Sequence, residues 1–475
     1  MRIASGLIAV AALSTPISAQ SVSSMSKTTR DFVSVSEPVV ALTNVTIIDG
    51  TGAAPKANQT IVIRGGRVAD VGPAASVTVP PGARTMDLRG QTVIPGIVGM
   101  HDHLFYTAAG GRETSLGFTG PRLYLGSGVT TIRTTGSIAP YADINTKHAI
   151  DKGQIPGPRI HITAPYITGA GGNGTSDMAI IDSPVAARRF VDYWAQEGAT
   201  WIKAYTDIRR ADLAAAIAEA HKRGMKVTGH LCSVSYQEAV DIGIDNLEHG
   251  MLTNTDFDPQ KKPDECPANS LFRTGSSNPV GDAGRATIRK MVDKHVPMTS
   301  TLAVFEMFFK DRPVKDERTL ETMAPEVKQA YLQVRAQIDT SSKWPLTTEM
   351  LKNAMAFEKA FVDAGGTLAA GVDPTGFGGA LPGFGDQRNY ELLIEGGFTP
   401  AQVVQIMTAN GAKILGVSDQ LGSIEKGKAA DLVILDGDLA ADPATIRKVT
   451  TVFKDGVGYD SPKLIASAKG RVGID

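Results

Sequence analysis

The feature that most limits how this chain can fold is a repeat of short apolar runs, each followed by a longer stretch with helical periodicity. The runs are 93–103, 128–133, 159–162, 201–205, 226–230, 246–249, 296–301 and 367–373. Enrichment in β-branched and aromatic residues over a few positions between turn signals reads as buried strand. Residues 184–197, 209–223 and 235–241 carry the longer period of amphipathic helices. Eight such strands alternating with helices predict an α/β fold, a (β/α)8 TIM-like barrel rather than an open doubly wound sheet. No glycine-rich phosphate loop follows any of the strands, so a dinucleotide-binding fold lacks its key chemistry.

The two ends of the chain have a different texture. Strand-sized runs occupy 39–48, 59–64, 67–71 and 85–88, and again 431–435 and 449–454, separated by turns such as Gly65-Gly66, Asp436-Gly437 and Asp455-Gly456. Residues 38–95 and 412–475 are therefore expected to pair into one small composite β-sandwich domain beside a barrel spanning 96–411. With 475 residues the chain has room for one large domain and a smaller one. Residues 20–37, rich in Ser and Thr, read as a flexible lead-in.

Residues 1–19 read as a signal peptide: Arg2, an apolar stretch from Ile3 to Leu13, then small residues ending in Ser18-Ala19. A buried N-terminal strand or helix is the alternative. The run is too short to span a bilayer and no later stretch qualifies. The protein is therefore expected to be exported, periplasmic or secreted, with no membrane span. Lys and Arg number 48 against 49 Asp and Glu, which leaves no basic field for a nucleic acid. Export permits a disulfide between Cys232 and Cys266, but spacing alone does not decide their pairing. Two cysteines are too few for a four-thiolate zinc site.

In a parallel barrel the reacting groups come from the C-terminal ends of different strands. Those ends carry His101 and His103 on the first strand, Lys203 on the fourth, His230 on the fifth, His249 on the sixth and Asp373 on the eighth. Residues 101 and 103 share a strand face, and neutral imidazole and carboxylate are ligands that zinc accepts. Each residue also has a plain alternative. A histidine pair can simply hydrogen-bond, a lysine usually reaches solvent or an ion pair, and an aspartate before Pro374 can serve a turn.

Together the pieces resemble the amidohydrolase superfamily. They are His-Asp-His after Pro95-Gly96, Lys203 in Trp-Ile-Lys-Ala-Tyr, His230 in Val-Thr-Gly-His, His249 in Leu-Glu-His-Gly and Asp373 in Ala-Gly-Val-Asp-Pro. The closing stretch 421–432 (Leu-Gly-Ser-Ile-Glu-Lys-Gly-Lys-Ala-Ala-Asp-Leu) completes the match. Within it the chain is similar to the imidazolonepropionase-related branch, which includes prolidase-like Xaa-Pro dipeptidases and ochratoxinase-type amidases. The resemblance implies two divalent metal ions, zinc being favoured. His101, His103 and Asp373 would hold one, and His230 and His249 the other. Lys203, carboxylated with CO2 to a carbamate (N6-carboxylysine), would bridge both. It further implies hydrolysis of an amide C–N bond in a small substrate (an N-acyl amino acid, dipeptide or related amide) by a metal-bridging hydroxide. Asp373 would move the proton. A mononuclear deaminase or cyclic amide or imidate hydrolase on the same fold is the alternative, and a non-catalytic exported binding protein a third.

Tyr106, Arg133 and Tyr205 stand close to this set in sequence and are the candidate substrate contacts. Where the branch commonly shows Arg-Asp, this chain reads Arg133-Thr134. The Gly-rich stretches 169–176 and 374–386 are expected to form mobile loops over the mouth, and 305–345 a lid. His148, His161, His221 and His295 are expected to lie outside the site. A homo-oligomer is compatible with the sequence.

Overall fold

The structure, a computed structural model, describes residues 21–170, 175–310, 312, 316–375 and 377–474. The expected signal peptide, 1–19, lies outside the described residues.

The middle of the chain builds two parallel sheets. One has the order Arg159–His161, Val129–Thr134, Ile97–Asp102. The other runs Ala179–Ile180, Thr163–Thr168, Trp201–Ala204, Lys226–Gly229, Asn246–Glu248, Met298–Ser300, Leu368–Ala370. They meet at both edges. At one, Arg159–His161 continues past Ile162 into Thr163–Thr168. At the other, Asp373 N donates to His101 O at 2.8 Å. Gly371 makes that second contact possible, because a Cβ there would lie 2.3 Å from His101 N. Strand residues such as Ile132, Ile202, Val227 and Leu247 are wholly buried, as expected for parallel strands covered on both faces.

Helices cover the outside. Pro184–Gln196 starts with Pro184 in its first turn and Ser183 as cap, whose side chain accepts from Ala186 N. It packs against Arg210–Lys222 through faces that bury Val191, Trp194, Leu213 and Ile217. A capping box, Ser235 with Glu238, starts Tyr236–Asp241.

Both termini contribute to one further sheet. Thr92–Pro95 lies antiparallel to Leu432–Leu435 and parallel to Val39–Ile47. The β-rich unit expected of the two termini is hydrogen-bonded as a nine-stranded mixed sheet, running from Val33–Val35 to Arg67–Pro73. Val39–Ile47 is long enough to pair with Lys56–Arg64, Arg84–Asp87 and Thr92–Pro95 along its length. Val40, Leu42, Ile61, Ile63, Leu432, Ile434 and Phe453 form its core.

The lead-in also departs from expectation. Residues 21–37 are packed: Met25 is buried, Thr29 Oγ1 donates to Gly153 O at 2.8 Å, and Val33–Val35 pairs with Val457–Asp460. Its few apolar side chains find sites on the body and its backbone completes a sheet edge, which outweighs the polar composition. Among the described residues no helix is long and apolar enough to cross a membrane.

Candidate metal centre

The C-terminal strand ends and the turns after them bring His101, His103, Lys203, His230, His249 and Asp373 to one cavity of about 600 Å³. His249 and Asp373 reach it through left-handed backbone, with φ of 71° and 49°. Such conformations cost a non-glycine residue about 1 kcal/mol or more, and here each turns a side chain inward just past its strand.

Hydrogen bonds outside the cavity orient the histidines. His101 Nδ1 lies 2.8 Å from Glu248 Oε2, His103 Nδ1 3.1 Å from Gly136 O, and His249 Nδ1 2.7 Å from Thr301 Oγ1. Carboxylate and carbonyl only accept, so His101 and His103 carry their proton on Nδ1 and present the Nε2 lone pair. Those Nε2 atoms lie 3.5 and 3.4 Å from Asp373 Oδ2 and Oδ1. One atom from each of His101, His103 and Asp373 falls within 4.8 Å of the others. The His249 ring sits 4.5 Å from that of His101 and 4.4 Å from that of His230.

Electrostatics favour ligand protonation states. Burial, reinforced by Lys203, pushes His101 well below the usual histidine value and His230 down to about 3. Burial and the neighbouring His230 hold His249 well below it too. For Asp373 burial acts upward, but His101 and His103 outweigh it and keep the carboxyl well below its usual range. Lys203 is 1% exposed. Burial lowers it to about 8, against the pull of Glu248 and Asp373. Its Nζ has no hydrogen-bond partner.

Two of the candidate substrate contacts do not reach the cavity. Arg133 is wholly buried beneath it, donating to Glu248 Oε1 at 2.5 Å and to Met100 O, with its guanidinium 4.4 Å from the Trp201 ring. It therefore holds Glu248, which in turn holds His101. Position 133 sits on the face of its strand turned into the packed interior, where only an ion pair can satisfy a guanidinium. Tyr106 is also wholly buried and donates to Gly378 O at 2.7 Å, which ties down the following loop. Tyr205 does line the cavity, its ring 4.8 Å from that of His230.

Other lining residues had no sequence signal. Tyr166 Oη lies 3.3 Å from His103 Nε2. It falls in the second half of the third strand, which runs past Pro165 to Thr168 instead of ending at 162. His161 is at the opposite end of that strand, beside Arg159. Phe305 and Phe308, from the start of the expected lid, form part of the wall. Further along the segment, Arg335 donates to Met307 O at 2.6 Å and Phe309 O at 3.0 Å, and residues 311 and 313–315 lie outside the described residues. Of the expected loops, 171–174 and 376 lie outside the described residues. Cys232 and Cys266 form a disulfide, Cα atoms 4.9 Å apart, that pins the wall segment 266–271 next to His230.

A family model described as the amidohydrolase family matches residues 92–256 and 352–458, spanning every residue of the set. The chain belongs to the amidohydrolase family. It is thus a hydrolase by family. It is 34% identical over 120 residues to an imidazolonepropionase of Clostridium tetani, 24% of this chain and 27% of that one. The aligned stretch spans about a quarter of that curated relative. A solved Xaa-Pro dipeptidase with bound methionine shares the fold, with TM-score 0.66 and 20% identity over 89% of this chain and all of that one. The A. niger ochratoxinase does so with TM-score 0.64 and 18% identity over 91% and 99%. The likeness to the prolidase-like branch thus holds at the level of fold.

Proposed function

We propose that this protein is an exported amidohydrolase that uses two divalent metal ions to cut the C–N bond of a small amide. The observation that carries the reading is the pair of tethered histidines, His101 and His103, whose free Nε2 atoms converge on Asp373. On this reading the two parallel sheets, meeting at both edges, form the (β/α)8 barrel of the family.

The donor set fits two ions. His101, His103 and Asp373 would hold one; His230 and His249 would hold the other. Lys203, whose Nζ has no hydrogen-bond partner among the described residues, lines the same cavity. A cationic ammonium would repel metals there, but a lysine brought to about 8 is substantially neutral just above neutrality. Only a neutral amine adds CO2, and the resulting carbamate offers two oxygens and a negative charge. Zinc suits these ligands. Bound ions would supply Lewis acidity, polarising the scissile carbonyl and making water acidic.

The chain's own groups supply the rest. Asp373, a carboxylate at neutral pH, accepts a proton from the attacking water and returns it to the departing nitrogen. Glu248, fixed by Arg133, keeps His101 in the tautomer a metal needs. The aromatic wall excludes bulk water, which strengthens each electrostatic contact inside. Residues 1–19 as a signal, together with the Cys232–Cys266 disulfide, support an oxidising compartment outside the cytoplasm.

The test is elemental analysis and amide hydrolysis of protein prepared with zinc and bicarbonate. Two ions per chain, falling with the activity in Lys203→Ala, is the expected outcome. One ion held without Lys203, with ammonia as the product, favours the mononuclear deaminase alternative.

A further inference from the structure

The cavity's charges select among amides. Its walls carry Phe105, Tyr166, Tyr205, Phe305 and Phe308, with Met178, Leu231, Leu252 and Leu271 between them. Among the described residues the sole lysine or arginine in the lining is Lys203, at the floor. Behind the lining, Arg133 is paired with Glu248, Arg273 with Asp258 and Arg388 with Glu306. Residues 171–174 and 376, next in the chain to the lining residues Thr175 and Thr375, are only Gly and Asn.

Away from the floor one charged side chain faces the cavity, and it is acidic. Glu113 opens the second strand of a hairpin, paired with Thr107, near enough to Tyr166 and Tyr205 to act on both electrostatically. Asp177 is its hydrogen-bonded neighbour. Among the described residues neither carboxyl has an ion pair with a lysine or arginine. Away from the floor, a substrate carboxylate would lose its hydration beside a like charge, with no lysine or arginine among the described lining residues to replace it.

Resting on the C–N hydrolase reading above, we propose that the substrate is an amide with bulky apolar or aromatic groups and no free carboxylate. Glu113 is the residue that turns carboxylates away. Free dipeptides and N-acyl amino acids are then poor substrates, and neutral or amine-bearing amides good ones.

The test compares N-benzoylphenylalanine with N-benzoylphenylalaninol, which replaces the carboxylate by a neutral alcohol. Hydrolysis adds water across the C–N bond and releases benzoate and the amine in both. The expected kcat/KM is at least tenfold higher for the alcohol. Glu113→Gln should raise the value for the acid about fivefold and narrow the ratio, and Glu113→Arg should narrow it further, with unchanged melting temperatures showing intact folds. Preference for the acid, or a ratio that ignores both substitutions, overturns the proposal. If neither amide is cleaved the hydrolase reading fails. Calorimetric binding of the two uncleaved amides to the zinc-loaded protein then decides this inference separately, tighter binding of the alcohol supporting it and tighter binding of the acid overturning it.

Discussion

The floor and the walls of the cavity are built in opposite ways. The floor consists of polar groups at strand ends, several held by a neighbour from another part of the sheet: His101 by Glu248, Glu248 by Arg133, His249 by Thr301. The walls come mostly from loops and the start of an insertion, with Tyr166 from a strand, and they are mainly apolar with few polar ties. Strand ends fix side chains within the tolerance that metal ligation needs, whereas loops can vary without disturbing them. The chemistry therefore belongs to the floor and selectivity to the walls. Substitutions in the two regions should fail in different ways.

The largest expected effect is at the floor. Asp373→Ala should lower kcat about 10³-fold, the scale of a lost proton-transfer group, with folding unchanged by circular dichroism. A kcat within tenfold of the parent would remove Asp373 from the reaction. One layer below, Glu248→Gln keeps the shape but loses the charge behind His101. It should weaken zinc affinity about 10- to 100-fold in chelator competition. An unchanged affinity would mean that His101 needs no such support.

The floor should also load with a characteristic pH dependence. Lys203 is lowered to about 8, so its neutral fraction rises about tenfold from pH 7 to pH 9. His230, at about 3, stays neutral throughout that interval. The rate of reconstitution of metal-free protein with zinc, at a fixed concentration of dissolved CO2, should rise through that interval. A flat profile would argue against carbamate formation at Lys203. The smallest effect belongs to the wall: Phe305→Ala should raise KM about tenfold for an aromatic amide and leave kcat nearly unchanged. A fall in kcat without a change in KM would show that the wall takes part in the chemistry.

The same contrast explains what the sequence could reveal. The strand ends carrying His101, Lys203, His230 and Asp373 were legible because β-branched runs of fixed length end in residues with unusual chemistry. Arg133 and Tyr106 stood close to the ligands in sequence, but strand alternation turns neighbouring side chains to different faces, and both are buried supports. Tyr166 was hidden because the apolar run at 159–162 ends before it, whereas strand continues to Thr168. Phe305, Phe308 and Glu113 come from segments with no periodic signal, and only tertiary packing brings them to the cavity. The packed stretch 21–37 shows the converse, since polar composition there concealed three residues that complete a sheet edge.

The most direct test of the account is anomalous diffraction at the zinc edge from crystals grown with zinc and bicarbonate. The account predicts two anomalous peaks in the cavity, one beside His101, His103 and Asp373 and one beside His230 and His249, with carboxylate density extending from Lys203 Nζ between them. A single peak with a bare Lys203 side chain would contradict it.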